Sequence, residues 1–134
     1  IFDPKESVDM QGQTGPYIQN AYVRIQSVKR KAAESLQNNW NEYQAPNEFE
    51  KILLQHIINF PEIVKEAGKL LDPSTIANYA YALAKDYHRF YHEVRILNAE
   101  TEAARTFRTV LSDKVGYVLM SAFDLLGIDM PERM

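Results

Sequence analysis

The sequence predicts an all-α protein, built as a helical bundle of about six helices. Apolar residues recur at spacings of three and four along most of the chain, which is the period of one buried helix face. Residues that favour helix starts precede several of these stripes, and no long stretch alternates between apolar and polar residues as a strand would. A chain of 134 residues suits one domain and buries roughly two-thirds of its unfolded surface. One helical core is therefore expected.

The first predicted helix runs from about Thr14 to Ala32. Thr14 is a good N-cap, and Gly15-Pro16 fits a first helical turn, where the missing proline N–H costs nothing. One stripe of this helix is expected to be buried, and it comprises Ile18, Ala21, Tyr22, Ile25, Val28 and Ala32. A second stripe carries an aromatic residue and cations and is free for a partner; it comprises Tyr17, Asn20, Arg24, Ser27 and Lys31.

Two shorter helices are predicted after a polar connection at residues 34 to 47. Asn47 with Glu50 resembles a capping box, and an apolar face follows it at Phe49, Ile52, Leu53 and Ile57. Pro61 is expected to end this helix and restart the chain, because proline breaks the hydrogen-bond ladder of a helix. The apolar face of the next helix is predicted to comprise Ile63, Val64, Ala67, Leu70 and Leu71.

The longest predicted helix starts at Asp72-Pro73-Ser74 and runs to about Leu97. Its buried face is expected at Ile76, Tyr79, Ala80, Leu83, Tyr87, Phe90 and Val94, and its polar face carries Tyr81, Lys85, His88, His92 and Arg95. After a break near Asn98, a short helix is predicted to end at Leu111. A last helix is predicted from about Asp113 to Gly127, with a stripe at Val115, Val118, Leu119, Ala122, Leu125 and Leu126.

Composition and charge exclude several classes of protein. The chain has no cysteine, which excludes disulfides, thiolate nucleophiles and cysteine-ligated zinc and is compatible with a cytoplasmic protein. No apolar run approaches the roughly 20 residues of a membrane helix, so no membrane span is expected. The formal net charge of -3 is spread evenly along the chain, so a nucleic-acid surface would have to be local. Because the first residue is Ile1, a fragment of a larger protein is expected.

No catalytic or metal-binding residue is predicted. His88 and His92 have the spacing of helical metal ligands, but no third ligand is apparent and no Glu follows the first His. Glu100 and Glu102 lie near a predicted helix start, where acidic residues favour the helix dipole, and this explains them better than acid-base catalysis. Glycine-rich phosphate loops and nucleophile elbows are absent from the sequence.

Two separated motifs carry a resemblance to a known family. The first is Thr14-Gly15-Pro16-Tyr17-Ile18-Gln19 with Ala21 and Arg24 after it, and the second is the pair Leu125-Leu126-Gly127-Ile128 and Pro131-Glu132-Arg133-Met134. Between them lie Tyr79, Leu83, Ala84, Phe90 and Tyr91. The first motif resembles the place where arginyl-tRNA synthetases pass from the catalytic domain into the helical anticodon-binding domain of class I synthetases, and the second resembles the end of the same enzymes. The resemblance implies that residues 1–14 end a catalytic domain and that residues 15–134 form the anticodon-binding domain.

This resemblance implies a function in which the chain holds the anticodon loop of an arginine tRNA. The parent enzyme would attach arginine to that tRNA with ATP and Mg²⁺, which would bind the catalytic domain of the same polypeptide. Both class I signature stretches, the His-Ile-Gly-His and Lys-Met-Ser-Lys-Ser types, are absent, so the chain alone is expected to be inactive and to bind no cofactor. The resemblance implies no binding to a membrane, and the protein is expected to be a monomer.

Six residues are predicted to contact the anticodon loop. Tyr17, Arg24, Tyr91 and Met134 match contact positions of the family, and Asn20 and Arg95 add polar groups beside them. Aromatic rings stack on splayed bases while cations hold the phosphates. Asn20 departs from the family, where a second tyrosine is usual, and Tyr22 stands where a histidine is common. The middle anticodon cytosine, shared by arginine tRNAs, is the base that the pocket is expected to read.

Other functions remain open from the sequence. A helical protein-interaction module would use the same exposed aromatics to meet a partner helix, and its affinity would be insensitive to salt, whereas RNA binding falls steeply with salt. The equivalent domain of another class I synthetase is a closer alternative. A small enzyme that uses the face of His88 and His92 is a third, and it would require bound metal or activity in this chain alone.

Overall fold

The computed structural model describes residues 14–33, 43, 45–127 and 130, and four α-helices lie within them. They are α1 (Thr14–Ala32), α2 (Glu48–Leu70), α3 (Pro73–Glu93) and α4 (Glu102–Leu126). The described residues include no strand, so the predicted all-α class is confirmed. The predicted number of six helices is wrong, because two predicted breaks lie inside continuous helices.

The first of these breaks is Pro61, which lies inside α2. A proline within a helix removes one intrahelical hydrogen bond, a cost that packing can offset. Leu53 before Pro61 and Ala67 after it are both buried and belong to the same hydrophobic core. Burial on both sides of the proline therefore keeps α2 continuous across it.

The second predicted break, before Asp113, lies inside α4 because the side chains that could cap a new helix are used elsewhere. The Ser112 hydroxyl donates to the carbonyl oxygen of Arg108 at 2.8 Å, one turn back in the same helix. The carboxylate of Asp113 is 2.7 Å from Nζ of Lys29 on α1. Neither side chain interrupts the helical ladder, so α4 runs from Glu102 to Leu126.

Helix ends follow the local sequence closely. Asn47 and Glu50 form the predicted capping box, in which the Glu50 N–H donates to Asn47 at 2.9 Å and the Asn47 N–H donates to Glu50 at 2.7 Å. Asp72 caps α3 ahead of Pro73, and Gly127 ends α4 with a φ of 73°. However, α3 ends at Glu93 rather than Leu97, since Val94 is already extended.

The core lies where α3 and α4 pack together, with α1 and α2 each packed against both. Every residue of the predicted α1 and α3 stripes is buried. Four residues expected on buried faces are exposed: Ile52, Leu70, Leu71 and Leu125. Ile52 and Leu125 lie at the edges of their stripes, and Leu70 and Leu71 lie at the end of α2, where Leu71 adopts a left-handed backbone conformation.

A buried arginine ties α2 to α4. Arg108 is 4% exposed, and its guanidinium donates to Glu50 at 3.0 Å and to both carboxylate oxygens of Glu100 at 3.0 and 3.1 Å. It also donates to the Arg95 carbonyl at 2.8 Å and to the Tyr43 hydroxyl at 3.2 Å. Burial alone would lower the pKa of Arg108, but its hydrogen bonds to the two carboxylates and to Tyr43 raise that pKa. The arginine therefore stays charged and fixes the segment after α3.

None of the helices in the described residues has both the length and the apolar composition that crossing a bilayer requires.

Candidate nucleic-acid interface

An open groove of about 680 Å³ lies between α1 and α3 and is called the α1–α3 groove below. Four of the six predicted contact residues line it together: Tyr17, Asn20, Arg24 and Tyr91. Its remaining lining residues are Val23, Ser27, His88 and His92. The structure thus brings four of the five residues of the second α1 stripe together with Tyr91 and with two residues of the predicted polar face of α3. Their contact with RNA stays a prediction.

Arg24 and Tyr91 form one composite unit across the groove. The guanidinium carbon of Arg24 is 4.2 Å from the centroid of the Tyr91 ring, a cation–π distance. The Arg24 Nη1 atom is also 3.1 Å from Nδ1 of His88, one turn before Tyr91 on α3. One face of the Tyr91 ring is therefore covered by a charged plane, which can itself stack on a base.

Tyr17 lies at one end of the groove within a small aromatic cluster. The centroid of its ring is 5.2 Å from that of Tyr81 and 4.9 Å from that of His88, which it meets edge-on. Burial raises the pKa of Tyr17, with smaller contributions from the nearby Tyr81 and Asp86. The phenol therefore stays protonated at neutral pH and keeps a hydroxyl that can donate or accept a hydrogen bond.

The surroundings of His88 favour the neutral form of its imidazole. Burial lowers its pKa, and the positive charge of Arg24 lowers it further, whereas a hydrogen bond to the backbone of Tyr17 opposes the shift. A neutral imidazole keeps one lone pair, which can accept a hydrogen bond from Arg24. Within the described residues, no group of three or more His, Cys, Asp or Glu is placed to hold a metal ion, and the Nδ1 atom of His88 already faces Arg24.

The charge of the α1–α3 groove differs from that of the whole chain. Arg24 and two histidines line the groove, and none of its lining residues in the described part of the chain is a carboxylate. The chain as a whole carries a formal charge of -3. A local, cationic, partly aromatic surface is the kind of site that binds unpaired nucleotides.

Arg95 lies beside this groove rather than in it. The prediction placed Arg95 on the polar face of a long helix, but it follows the end of α3 in an irregular segment. There it lines a second depression of about 270 Å³, together with Val28, Tyr91, His92, Val94, Ile96, Leu97 and Asn98. Tyr91 and His92 line both depressions, so Arg95 lies close to the composite unit. Met134, the sixth predicted residue, lies outside the described residues.

Two lining residues of the groove, Val23 and His88, were not predicted as site residues from the sequence. Val23 supplies apolar surface to the groove, although it belongs to neither stripe predicted on α1. His88 was placed on the polar face of α3 and weighed with His92 as a metal-ligand pair, but it was not predicted to belong to the RNA site. Its spacing of three residues from Tyr91 places both side chains on one side of α3, and this signal was available. The pairing of that side with Arg24 of α1 requires the tertiary structure.

Comparison with known proteins gives consistent matches. Residues 18–134 match the family described as the DALR anticodon binding domain. The chain is 50% identical to an arginine–tRNA ligase of Parabacteroides distasonis over 136 residues, covering 99% of this chain and 23% of that protein. It is 49% identical to an arginine–tRNA ligase of Phocaeicola vulgatus, with coverage of 99% and 22%.

A solved structure shows the same fold. Thermus thermophilus arginyl-tRNA synthetase matches 99% of this chain with a TM-score of 0.81 and 31% identity. The match covers 23% of the Thermus chain. This chain therefore spans less than a quarter of the length of the curated relatives and the solved structure that it matches.

Proposed function

The chain belongs to the DALR anticodon binding domain family, and from that premise we propose that it binds the anticodon loop of an arginine tRNA as the anticodon-binding part of an arginine–tRNA ligase. One observation carries the proposal: the α1–α3 groove combines Tyr17, Tyr91 and Arg24 with no carboxylate among its described lining residues. The arginine-ligase identity is supported by the relatives and by the Thermus structure.

The groove offers two kinds of contact to an unpaired base. A base can stack on the guanidinium plane of Arg24 or on the Tyr91 face that Arg24 leaves uncovered. The exposed amide of Asn20 provides both a donor and an acceptor at the groove edge. Cytosine has an amino donor beside a ring-nitrogen acceptor, so one amide can pair with its edge. The middle anticodon cytosine, which arginine tRNAs share, is the base that the site is proposed to read.

Phosphate contacts would come from the cations around the composite unit. Arg24 lies in the groove, and Arg95 is exposed in the adjoining depression. The sixth site residue of the proposal is Met134, which would add a flexible apolar contact. Such cationic contacts make binding fall with salt, which separates RNA recognition from the docking of a protein helix.

The rest of the proposed enzyme lies outside the anticodon-binding part. Residues 1–14 would end the catalytic domain, and residues 15–134 would form the anticodon-binding domain of one monomeric, cytoplasmic polypeptide. ATP supplies the energy for joining arginine to the tRNA, and ATP and Mg²⁺ would bind the catalytic domain. The described residues do not fit a metal site, because they contain no cluster of three or more suitable ligands.

The proposal is tested by titrating an arginine tRNA anticodon stem-loop into the chain and into Tyr91→Ala at two salt concentrations. Tyr91 is 37% exposed, so the variant should keep its fold. We expect salt-dependent binding that weakens by about tenfold in Tyr91→Ala, because one base stack is worth about 1 to 3 kcal/mol.

The matched control is Tyr117→Ala. Tyr117 is 64% exposed on α4 and does not line the groove, so its loss should leave the affinity unchanged. Equal weakening by both variants, or equal affinity of Tyr91→Ala and the unaltered chain, would remove Tyr91 from the site. Absence of binding at low salt would contradict the proposed function and favour a protein-interaction module.

A further inference from the structure

We infer that His88 is a positioning residue, which holds Arg24 over the ring of Tyr91 and so assembles the α1–α3 groove before a nucleotide arrives. The inference deepens the proposed function and rests on it. In this role, His88 would not itself contact the base or the phosphate. It would act through Arg24.

The contact geometry supports this role directly. One guanidinium makes two contacts: its Nη1 atom is 3.1 Å from Nδ1 of His88, and its central carbon is 4.2 Å from the Tyr91 centroid. Arg24 comes from α1, whereas His88 and Tyr91 lie three residues apart on α3. The two α3 side chains therefore hold the arginine from one side of the groove.

The imidazole is itself held in place. The ring of Tyr17 meets the His88 ring edge-on with centroids 4.9 Å apart, and the imidazole hydrogen-bonds the backbone of Tyr17. Arginine has donors and no acceptor, so a hydrogen bond with Arg24 requires a lone pair on His88. A neutral imidazole has one donor and one acceptor nitrogen, and it can satisfy the Tyr17 backbone and Arg24 together.

Order in Arg24 matters because a long arginine side chain loses rotamer freedom when it binds. A side chain that is already held in the bound position loses less freedom on binding, so the affinity is higher. Protonation of His88 would remove its acceptor and place a second positive charge beside the guanidinium. Burial and the charges of Arg24 on α1 and His92 on α3 disfavour an imidazolium at His88, whereas the hydrogen bond to the backbone of Tyr17 on α1 favours it; burial is the largest of these effects.

The first test compares His88→Phe with His88→Asn by titration with the arginine anticodon stem-loop. Phenylalanine keeps a ring but has no acceptor, so we expect affinity to fall about tenfold, as for loss of one hydrogen bond to a charged group. The amide oxygen of asparagine can take the place of Nδ1, so His88→Asn should recover most of that loss. Equal affinities of His88→Phe and the unaltered chain would overturn the inference.

The second test asks whether His88 acts through Arg24. In an Arg24→Gln background, His88→Phe should cause no further loss, because the group that it positions is gone. The control Arg30→Gln removes the same charge from an exposed position on α1 outside the groove, and His88→Phe should keep its full effect there. Equal losses in the Arg24→Gln and Arg30→Gln backgrounds would show that His88 contacts the RNA itself, contrary to the inference.

The pH profile gives a readout that packing alone would not change. Between about pH 7.5 and about pH 5, affinity should fall more for the unaltered chain than for His88→Phe, since only the former loses an acceptor on protonation. If the affinity of the unaltered chain instead rose as the pH fell, and rose more than that of His88→Phe, the result would mean that an imidazolium binds phosphate. That result would also overturn the inference.

A ligand-free measurement separates failure of this inference from failure of the proposed function. The NMR signal of the Arg24 guanidinium should show an ordered side chain in the unaltered chain. In His88→Phe it should show a side chain that averages rapidly among rotamers. Unchanged Arg24 signals in His88→Phe would overturn the inference whatever the RNA does. Absence of stem-loop binding by the unaltered chain would instead overturn the proposed function, and with it the role of Arg24 in RNA binding.

Discussion

Arg24 and Tyr91 act as one unit at the scale of single residues. Because the guanidinium carbon of Arg24 lies 4.2 Å from the centroid of the Tyr91 ring, a base at this unit can stack on the guanidinium or on the opposite face of the tyrosine. Both arrangements keep a positive charge close to the nucleotide. Asn20 is the exposed neighbour of this unit on the groove wall, and it offers hydrogen bonds rather than an aromatic plane.

Asn20→Tyr should strengthen stem-loop binding. Position 20 lies one turn after Tyr17 and one turn before Arg24, so a new ring would face the same groove. A base stacked on that ring is worth about 1 to 3 kcal/mol, whereas the Asn20 hydrogen bonds that it replaces are worth about 0.5 to 1.5 kcal/mol, so affinity should rise by up to about fivefold while the preference for cytosine falls. A titration against Asn59→Tyr, which adds the same ring on α2 outside the groove, would isolate the stacking effect. Unchanged affinity together with an unchanged base preference in Asn20→Tyr would show that no base reaches this position.

Glu100 should make stability depend on pH. The hydrogen bond from Arg108 holds the pKa of Glu100 below its usual value, and a hydrogen bond to the Glu100 backbone adds to this shift. A carboxylate with a lowered folded-state pKa stabilises the fold above its unfolded-state pKa, and that stabilisation is lost as pH falls through the folded-state pKa. Since the Glu100 side chain is 52% exposed, we expect a contribution below about 1 kcal/mol.

Urea unfolding of Glu100→Gln at several pH values checks this expectation. The difference in unfolding free energy from the unaltered chain should be largest near neutral pH and should shrink as the pH falls below about 4.5. Glu93→Gln removes the same charge from an exposed position at the end of α3 and serves as the control. A difference for Glu100→Gln that stays constant into acid would exclude the Arg108 contact as its cause.

At the scale of elements, the close packing of α4 against α1 determines the position of α1, which forms one wall of the α1–α3 groove. A Cβ atom added at Gly116 of α4 would lie 3.0 Å from Cγ2 of Ile25, a buried residue of α1. Ile25 follows Arg24, so a shift at this crossing would move the composite unit too. The glycine therefore contributes to the site through the position of α1.

Gly116→Val should destabilise the chain by about 1 to 3 kcal/mol, the usual range for overpacking a core. The matched substitution is Gly68→Ala on α2, where an added Cβ meets nothing within 4 Å. Replacing that helical glycine should stabilise the chain by about 0.5 to 1 kcal/mol. Denaturant unfolding measures both. Equal effects of the two substitutions on the free energy of unfolding would contradict the close approach of α1 and α4 at Gly116.

Helix boundaries show what the local sequence could predict. The capping box at Asn47 and the stop at Gly127 were predicted because each depends on residues close together in the chain. Pro61 and Asp113 were wrongly expected to break helices, because their local preferences are overridden by contacts across the bundle. In α4, one such contact is the ion pair between Lys29 and Asp113.

At the scale of the whole molecule, the core could be predicted from periodicity, but the polar contacts could not. The stripes of α1 and α3 are buried as expected, since burial of a helix face needs only a repeating pattern. Glu50 and Arg108 are 58 positions apart and pair at 3.0 Å in the interior. Nothing in the spacing of two charged residues so far apart predicts that they meet.

The candidate site likewise combines features that the sequence predicts with contacts that only the fold reveals. Helical spacing placed Tyr17, Asn20 and Arg24 on one face of α1, and the structure confirms that this face lines a groove. The assignment of Arg95 to the helix was wrong, because the extended backbone at Val94 ends α3 before it. The contact between Arg24 and His88 joins residues 64 positions apart and needed the fold.

The central claim is that this chain reads an anticodon base, and one titration tests it most directly. The chain is titrated with an arginine tRNA anticodon stem-loop and with the same loop carrying a changed middle base, at low and at moderate salt. We predict salt-dependent binding that weakens by about tenfold or more with the base change, equivalent to about 1.4 kcal/mol. Equal affinity for the two loops would contradict the claim, because the groove would then grip only the RNA backbone.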